Sequence, residues 1–431
     1  MGFDIYSEDL IFYKEEKGIT EAVIPEEIKK ISYRTFSECK YLESIFIPDA
    51  VTDINYDAFC DCTALKEIKV SASNPAYTSR DGILYNKFFT ELIYHPGSRE
   101  HIHIPHTVSR IADTAFSGNQ NLIKITISPF NFHFIMHDGV LYTRDMKKLV
   151  CCPKDKKSII IPDTITDIGN YAFQYCEALT DVQFPPKLKR IHRNAFHYCT
   201  NLKDVIFPPS LKLIDDSAFR ECHSLKHVII PDGTQEIKSS AFVNCRNLES
   251  IVIPESVKKA GSLFQGSRNL NHVTCHGIEM RAFADHNQWH MTSGNTDALC
   301  KQMDIDSFFQ RFVRRICQRE FDEDILYVPP ELKYDILLQL YAHHPHEKEI
   351  SDAVQKYVTE ICQYQMQRIS PEKFSMILDS IRHFITKQNL SDLIIYANEQ
   401  KNYEMQIMLT EYKNKYIGYE STEEKLRKWK L

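Results

Sequence analysis

Residues 168–185 read I-G-N-Y-A-F-Q-Y-C-E-A-L-T-D-V-Q-F-P, and residues 191–208 read I-H-R-N-A-F-H-Y-C-T-N-L-K-D-V-I-F-P. The second stretch returns the Ile, Ala-Phe, Cys, Leu, Val and Phe-Pro of the first, each 23 positions on. The same step of 23 joins Phe36 to Phe59 and links Phe173, Phe196, Phe219 and Phe242, and Phe264 follows after 22. Phe59, Phe116 and Phe173 lie 57 apart, one period of 23 joined to one of 34. Three residues after Phe stands Cys39, Cys62, Cys176, Cys199, Cys222 or Cys245, replaced by Asn119 and Ser267 in the two remaining units. Six after it Leu recurs in all eight units, and nine after it Ile or Val. Five before it Ile recurs from Ile31 to Ile237.

Such a unit reads L-x-x-I-x-I-P-x-x-V-x-x-I-x-x-x-A-F-x-x-C. Its L-x-x-I-x-I segment is a short strand whose alternate side chains point inward. Pro closes the strand because it cannot donate to a ladder. One coil cannot bury its apolar side alone. Coils stacked about 4.8 Å apart join their strands into a parallel sheet and their inward residues into one core. The pattern therefore predicts a solenoid in which Phe stacks on Phe, Leu on Leu and Cys on Cys.

The A-F-x-x-C and I-x-I-P steps at a spacing of 23 resemble the BspA-like class of leucine-rich repeats, over roughly Ile19 to Phe283. The resemblance implies an α/β-type leucine-rich repeat solenoid, with short parallel strands and a coil or short-helix convex side. It also implies bacterial surface binding of an adhesin-like kind. Two 57-residue units resemble the family's longer form. Asp81-Gly82-Ile83-Leu84-Tyr85, Leu92 and Pro96 recur as Asp138-Gly139-Val140-Leu141-Tyr142, Leu149 and Pro153, while Asn74-Pro75 finds no counterpart. Asp-Gly before apolar residues signals a turn and then a strand, so hairpins are expected over Gly82–Tyr94 and Gly139–Cys151. Residues 1–20 are expected to cap the solenoid, which extends over 21–290.

Near Gly294 the period of 23 gives way to 3.6. Phe308, Phe309, Phe312, Val313 and Ile316 share one helical face, as do Ile350, Val354, Tyr357, Val358 and Ile361. Ser370-Pro371 supplies a cap and a first-turn Pro. Ser391 to Tyr416 is read as a short helix pair. Residues 297–431 are thus expected to form an all-α helical domain of about six helices.

Composition narrows the function. The 431 residues carry 52 basic and 58 acidic side chains, a net charge of −6, which argues against a general nucleic-acid binder. No apolar run is long enough for a membrane span. No secretory leader is visible, so a cytoplasmic location is expected, or the cell surface if a leader has been removed. Phosphate loops and the common metallopeptidase and hydrolase motifs are missing, and neither a catalytic set nor a cofactor is expected.

Thirteen cysteines could suggest metal or disulfides. The ladder spreads its thiols along an axis, whereas a zinc site draws them to one point, so they are read as small buried thiols. His101, His103 and His106 alternate along one strand, and His343, His344 and His346 form a second cluster. Neither has a carboxylate or thiol beside it in sequence, and both are read as surface histidines.

Residues eight and ten after the key Phe face away from the core, onto the inner curve expected of the stack. These are Asp181, Asp204 and His227 at position eight, and Phe46, Gln183, Ile206, Ile229 and Val252 at position ten. The reading that follows is a non-enzymatic recognition or scaffold protein, which holds a macromolecular partner on the curved repeat surface. A protein is the first expected partner and a glycan the second. The alternatives are a regulatory or effector protein acting through its helical domain, and a glycan-binding module. Limited proteolysis should cut near residues 285–300 and leave a solenoid fragment of about 30 kDa. Resistance to cleavage there, together with single-step unfolding, would speak against two domains.

Overall fold

The computed structural model describes residues 2–270, 272–276, 278–285, 288–292, 298–300 and 330–417. They divide into two compact units, the first reaching Leu270 and the second taking in the residues from 272 onward. The helix expected around Phe308–Ile316 and much of the expected cleavage region lie outside the described residues.

The first unit is a β-solenoid. Its longer strands pair in parallel, Glu21–Val23 with Ser44–Ile47 and Ser44–Ile47 with Glu67–Val70. Further pairs are His101–Ile104 with Lys124–Ile127, Ser158–Ile160 with Asp181–Gln183, and His227–Ile229 with Ser250–Ile253. In each pair the facing residues are 23 apart, as in Ile102 opposite Ile125 and Val228 opposite Ile251. The opposite side of the coil carries a second parallel ladder of two-residue strands. Asp167–Ile168, Arg190–Ile191, Leu213–Ile214, Glu236–Ile237 and Lys259–Ala260 follow one another in it. The Ile five before Phe, read from sequence only as a core position, anchors this ladder. At the N-terminus Gly2–Tyr6 pairs antiparallel with Asp9–Lys14, which leads into the short-strand ladder at Lys30–Ile31. Tyr13 lies 5.2 Å from both Phe3 and Phe36 and links the cap to the aromatic stack.

The key Phe lies in a turn whose backbone N–H and C=O are both bonded to the next coil. The N–H of Phe173, Phe196 and Phe219 donates to the carbonyl of Ala195, Ala218 and Ala241 at 2.7–2.8 Å. In return, Cys199, Cys222 and Cys245 donate Sγ–H to the carbonyls of Phe173, Phe196 and Phe219 at 3.1–3.2 Å. Ser267 takes the cysteine's place and makes the same bond, Oγ to Phe242 O at 2.8 Å. The cysteine ladder is therefore a ladder of buried donors as well as small side chains. Eleven cysteines, from Cys39 to Cys362, are buried free thiols. Phe173, Phe196, Phe219 and Phe242 stack within 3–7° of parallel, with centroids 4.7–5.6 Å apart.

The 57-residue units differ from their sequence reading. Asp81-Gly82 and Asp138-Gly139, all at positive φ, are themselves two-residue hairpin turns. A strand not read from sequence precedes each, Tyr77–Arg80 and Phe134–His137, so each insert is a three-stranded antiparallel meander. Its last strand joins the short-strand ladder, Glu91–Tyr94 beside Arg110–Ile111 and Lys148–Cys151 beside Asp167–Ile168. Asn74 does have a counterpart, Asn131. Both are buried, and each Nδ2 donates to two carbonyls of the preceding coil, Pro48 and Val51 or Pro105 and Val108, at 2.7–2.9 Å. Each Oδ1 accepts the N–H groups two and three residues on. The Pro after Asn74 is thus dispensable and the amide is not.

Each long unit also contains a coil whose turn lacks A-F-x-x-C. His95 and Cys152 hold the Phe place there, donating N–H to Ala115 O and Ala172 O at 2.7 and 2.8 Å. These shortened turns are recessed. A Cβ on Gly97 would meet Cys62 O at 2.5 Å and Gly118 O at 2.6 Å, so no larger residue fits. The full turns on either side close over them. Thr114 Oγ1 donates to Tyr56 O at 2.5 Å, Ser117 Oγ accepts Asp61 N–H at 3.1 Å, and Gln174 Nε2 donates to Asp61 Oδ1 at 2.7 Å.

The second unit contains the antiparallel strands His272–Cys275, Ile278–Asp285, Gln288–Thr292 and Ala298–Cys300. Five α-helices follow among the described residues: α1 (Pro330–His343), α2 (Lys348–Met366), α3 (Pro371–Ser380), α4 (Lys387–Glu399) and α5 (Tyr403–Tyr416). α4 begins before the expected Ser391 because Thr386 and Asn389 form a capping box. Val354, Val358 and Ile361 of α2, Phe374 and Leu378 of α3, Leu390 and Leu393 of α4 and Leu409 of α5 supply buried apolar side chains.

Two tests follow from the turns. Phe219→Ala should cost about 3–5 kcal/mol by emptying a rung of the stack. Cys222→Ser should cost less than about 1 kcal/mol, since the hydroxyl inherits the bond that Ser267 already shows; chemical denaturation of both variants checks the order, and equal losses would refute the donor role. A second test concerns buried imidazoles. His95, whose Nδ1 accepts from Asn119 Nδ2 at 2.7 Å, is pushed by burial from 6.5 to about 4. His197 is pushed to about 3 by burial and by the charge of Arg220. Below pH 6.5 the unfolded chain takes up protons that these folded histidines refuse, so their contribution is full above that pH and declines as pH falls toward 4. The pair alone sets a slope of about 2.7 kcal/mol per pH unit near pH 5. His197→Gln should roughly halve that part of the slope in urea titrations at pH 7, 6 and 5, and an unchanged slope would overturn the assignment.

Candidate functional site

The outward side chains of the long-strand ladder stand where the strand period places them. Ile206 and Ile229 are 85% and 66% exposed. Asp181, Gln183, Asp204 and His227 are exposed, and Val252 is half-buried. Ile229 faces Val252 directly across the ladder, and His227 faces Ser250, whose Oγ lies 2.9 Å from its Nδ1. Gln183 faces Ile160, which is 72% exposed and was missed by the sequence reading. Its coil carries Cys151-Cys152-Pro153 where a Phe would mark the register. The signal was present in Ile159-Ile160-Ile161-Pro162, which matches Ile251-Val252-Ile253-Pro254. Position ten therefore runs Ile160, Gln183, Ile206, Ile229, Val252 on successive coils, beside Ser158, Asp181, Asp204, His227 and Ser250 at position eight.

Phe46 stands apart. It is half-buried, paired with Val23 and Lys69, and the coils of Lys69, His103 and Thr126 separate it from Ile160. The segment around Ile206 also differs from a regular rung. Residues 204–206 form no strand, and the break falls where Phe184 and Phe207 replace the usual inward Ile. Those rings stack on each other at 5.6 Å and meet Phe196 and Phe219 edge-on.

The other candidate groups resolve differently. His101 and His103 are exposed, with His103 Nδ1 3.1 Å from Thr126 Oγ1. His344 is buried, while His343 and His346 are exposed. Among the described residues, no three His, Cys, Asp or Glu side chains converge as metal ligands, and no helix is long and apolar enough to cross a membrane.

Comparison with known proteins places this architecture. No curated protein matches the sequence. Among solved structures, the pneumococcal vaccine antigen PcpA is 21% identical, with 62% of this chain and 71% of that one covered and a TM-score of 0.42. A leucine-rich cell surface protein from Faecalibacterium prausnitzii A2-165 is 23% identical over 63% and 92% of the two chains, with a TM-score of 0.36. A leucine-rich repeat protein from Eubacterium ventriosum is 19% identical over 62% and 87%, with a TM-score of 0.41. The BspA type leucine rich repeat region matches in six copies, over residues 8–86, 87–138 and 146–288. With the repeats covering more than half of its length, the chain belongs to the BspA-type leucine-rich repeat proteins.

Proposed function

We propose that this protein is a non-enzymatic recognition module that holds a protein partner on the outward face of its long-strand ladder. The observation that carries the reading is the run of exposed aliphatic side chains, Ile160, Ile206 and Ile229, on coils stacked about 5 Å apart. Strand propensity alone favours β-branched residues, but a soluble surface seldom leaves such a row uncovered. Asp181 and Asp204 flank the row and carry no ion pair among the described residues. The complementary partner is a protein segment with aliphatic side chains bordered by Lys or Arg. The F. prausnitzii relative is described as a cell surface protein, and recognition at a cell surface is the setting that this reading favours.

Ile206→Asp combined with Ile229→Asp should abolish capture of the partner while changing stability by about 0.5 kcal/mol or less, since both side chains are already in water. Pull-down from surface extracts with wild-type and doubly substituted chain, alongside thermal melts, checks both parts. Retention of every captured protein by the double variant would place recognition elsewhere.

A further inference from the structure

The convergence of the full turns over the shortened ones leaves a second feature, at the turns of the coils and away from the strand face. A cleft of about 560 Å³ opens there between the turns of Phe36, Phe59, Phe173, Phe196 and Phe219. Its inner wall is formed by Tyr171, Tyr175, Asn194 and His197, all buried, and its rim by Arg34, Glu38, Asp61, Arg193, Tyr198 and Arg220. Tyr171, Tyr175 and Tyr198 have φ between 57° and 62°. That left-handed region disfavours bulky side chains, and the equivalent places in later coils hold Ser217, Glu221, Ser240 and Asn244. Large aromatic rings occupy these costly positions where the turns converge. Tyr175 and Tyr198 stack at 4.9 Å and 12° from parallel, His197 lies 4.5 Å from the Tyr198 ring, and Tyr198 is half-exposed at the outer end of this aromatic cluster.

The polar groups of the cleft are incompletely bonded. Gln174 Oε1 accepts Gly118 N–H at 2.9 Å, and its Nε2 donates to Asp61 Oδ1 at 2.7 Å. The amide orientation is thereby set, and the second Nε2 hydrogen faces His197 Nδ1 at 3.3 Å. His197 must accept at Nδ1, so its proton lies on Nε2. That Nε2–H is buried with no acceptor. One coil on, at the equivalent place, Arg220 Nε–H is buried and also lacks an acceptor, with Glu221 Oε1 at 4.0 Å. Buried donors without partners are rare in folded proteins. Of the cleft's other charged side chains, Arg34 is paired with Glu38 at 2.9 Å, Arg193 with Asp57 at 3.3 Å, and Asp61 is bonded by Gln174, while Lys40 and Glu177 also line it.

We infer that this cleft binds an acidic saccharide, a pyranose bearing a carboxylate. Tyrosine faces suit the apolar face of a sugar ring, and the donors of His197 and Arg220 suit its carboxylate. Arg220 has the Glu221 charge nearby but no acceptor for its buried Nε–H; a carboxylate is a stronger acceptor for it than a neutral sugar's hydroxyl, and a bare carboxylate would leave the tyrosine stack unused. The site is separate from the strand face and does not depend on that face binding protein.

Isothermal titration of the full chain with 3′-sialyllactose, digalacturonic acid, lactose and acetate tests the inference. At least one of the two acidic saccharides should bind saturably, and lactose and acetate should each be weaker by about tenfold or more. Arg220→Leu and Tyr198→Ala should each lower that affinity about tenfold or more. His197→Phe should do the same, while His197→Gln, which restores a donor, should recover most of it. Circular dichroism confirms that each variant is folded, and Ile206→Asp with Ile229→Asp should leave saccharide binding intact. Failure of both acidic saccharides to bind, equal binding by lactose or acetate, or full affinity in folded Arg220→Leu and Tyr198→Ala would each overturn it.

Discussion

The solenoid depends on the backbone of the key phenylalanine, whose N–H and C=O reach the next coil in successive turns. Its N–H reaches the next coil's Ala carbonyl, and its C=O accepts a thiol or hydroxyl from the next coil's turn, as with Phe196, Ala218 and Cys222. Both backbone polar groups of a buried residue are thereby satisfied without a helix or a regular strand, which is the condition for burying a turn at all. The ring then stacks on its neighbours, and the strands on the other sides of the coil keep the same step. This bond explains why position three after Phe admits Cys or Ser. In the Phe116 turn the larger Asn119 works through its amide instead, to Pro96 O at 3.0 Å and to His95 Nδ1.

The long units work against that regularity in a directed way. Each adds two strands beside the short-strand ladder and shortens the turn that follows it. The recessed turn needs Gly97 at its closest point, because the carbonyls of Cys62 and Gly118 leave no room for a Cβ. Turns 57 and 114 residues apart then come into hydrogen-bond contact, Asp61 with Ser117 and Asp61 with Gln174. A repeat that elsewhere offers two open faces here forms a concave site with buried walls. Burial keeps His197 neutral and lifts the Asp61 carboxyl above its ordinary range, because charge is poorly solvated there.

The two surfaces have different physical characters. The strand face is shallow, aliphatic at position ten and acidic at position eight, and its side chains are held by ladder register. The cleft is aromatic and donor-rich, and its side chains are held by turns in a strained backbone region. One coil of the repeat thus presents two surfaces of different chemical character, at its long strands and at its turns.

Much of this was readable from the residues alone. The period of 23, the inward and outward alternation, and the exposure of Ile206 and Ile229 all follow from local rules: strand period two, Pro as a strand stop, and a core that needs stacking. The helical character of residues 330–417 followed likewise from period 3.6. Ile160 was readable too, from Ile159-Ile160-Ile161-Pro162, although its coil lacks the marker Phe, and its pairing with Gln183 fixes the register. Tertiary structure alone decided two things. Asn131 became the partner of Asn74 because both amides bridge to carbonyls in another coil, a role that the neighbouring residues do not announce. Tyr171, Tyr175 and Tyr198 met Asp61 and Arg34 because recessed turns let distant coils touch. Sequence periodicity reports which side of a coil a residue occupies. It carries no information about how far apart two coils stand on that side, since that separation is set by the packing of the shortened turns between them.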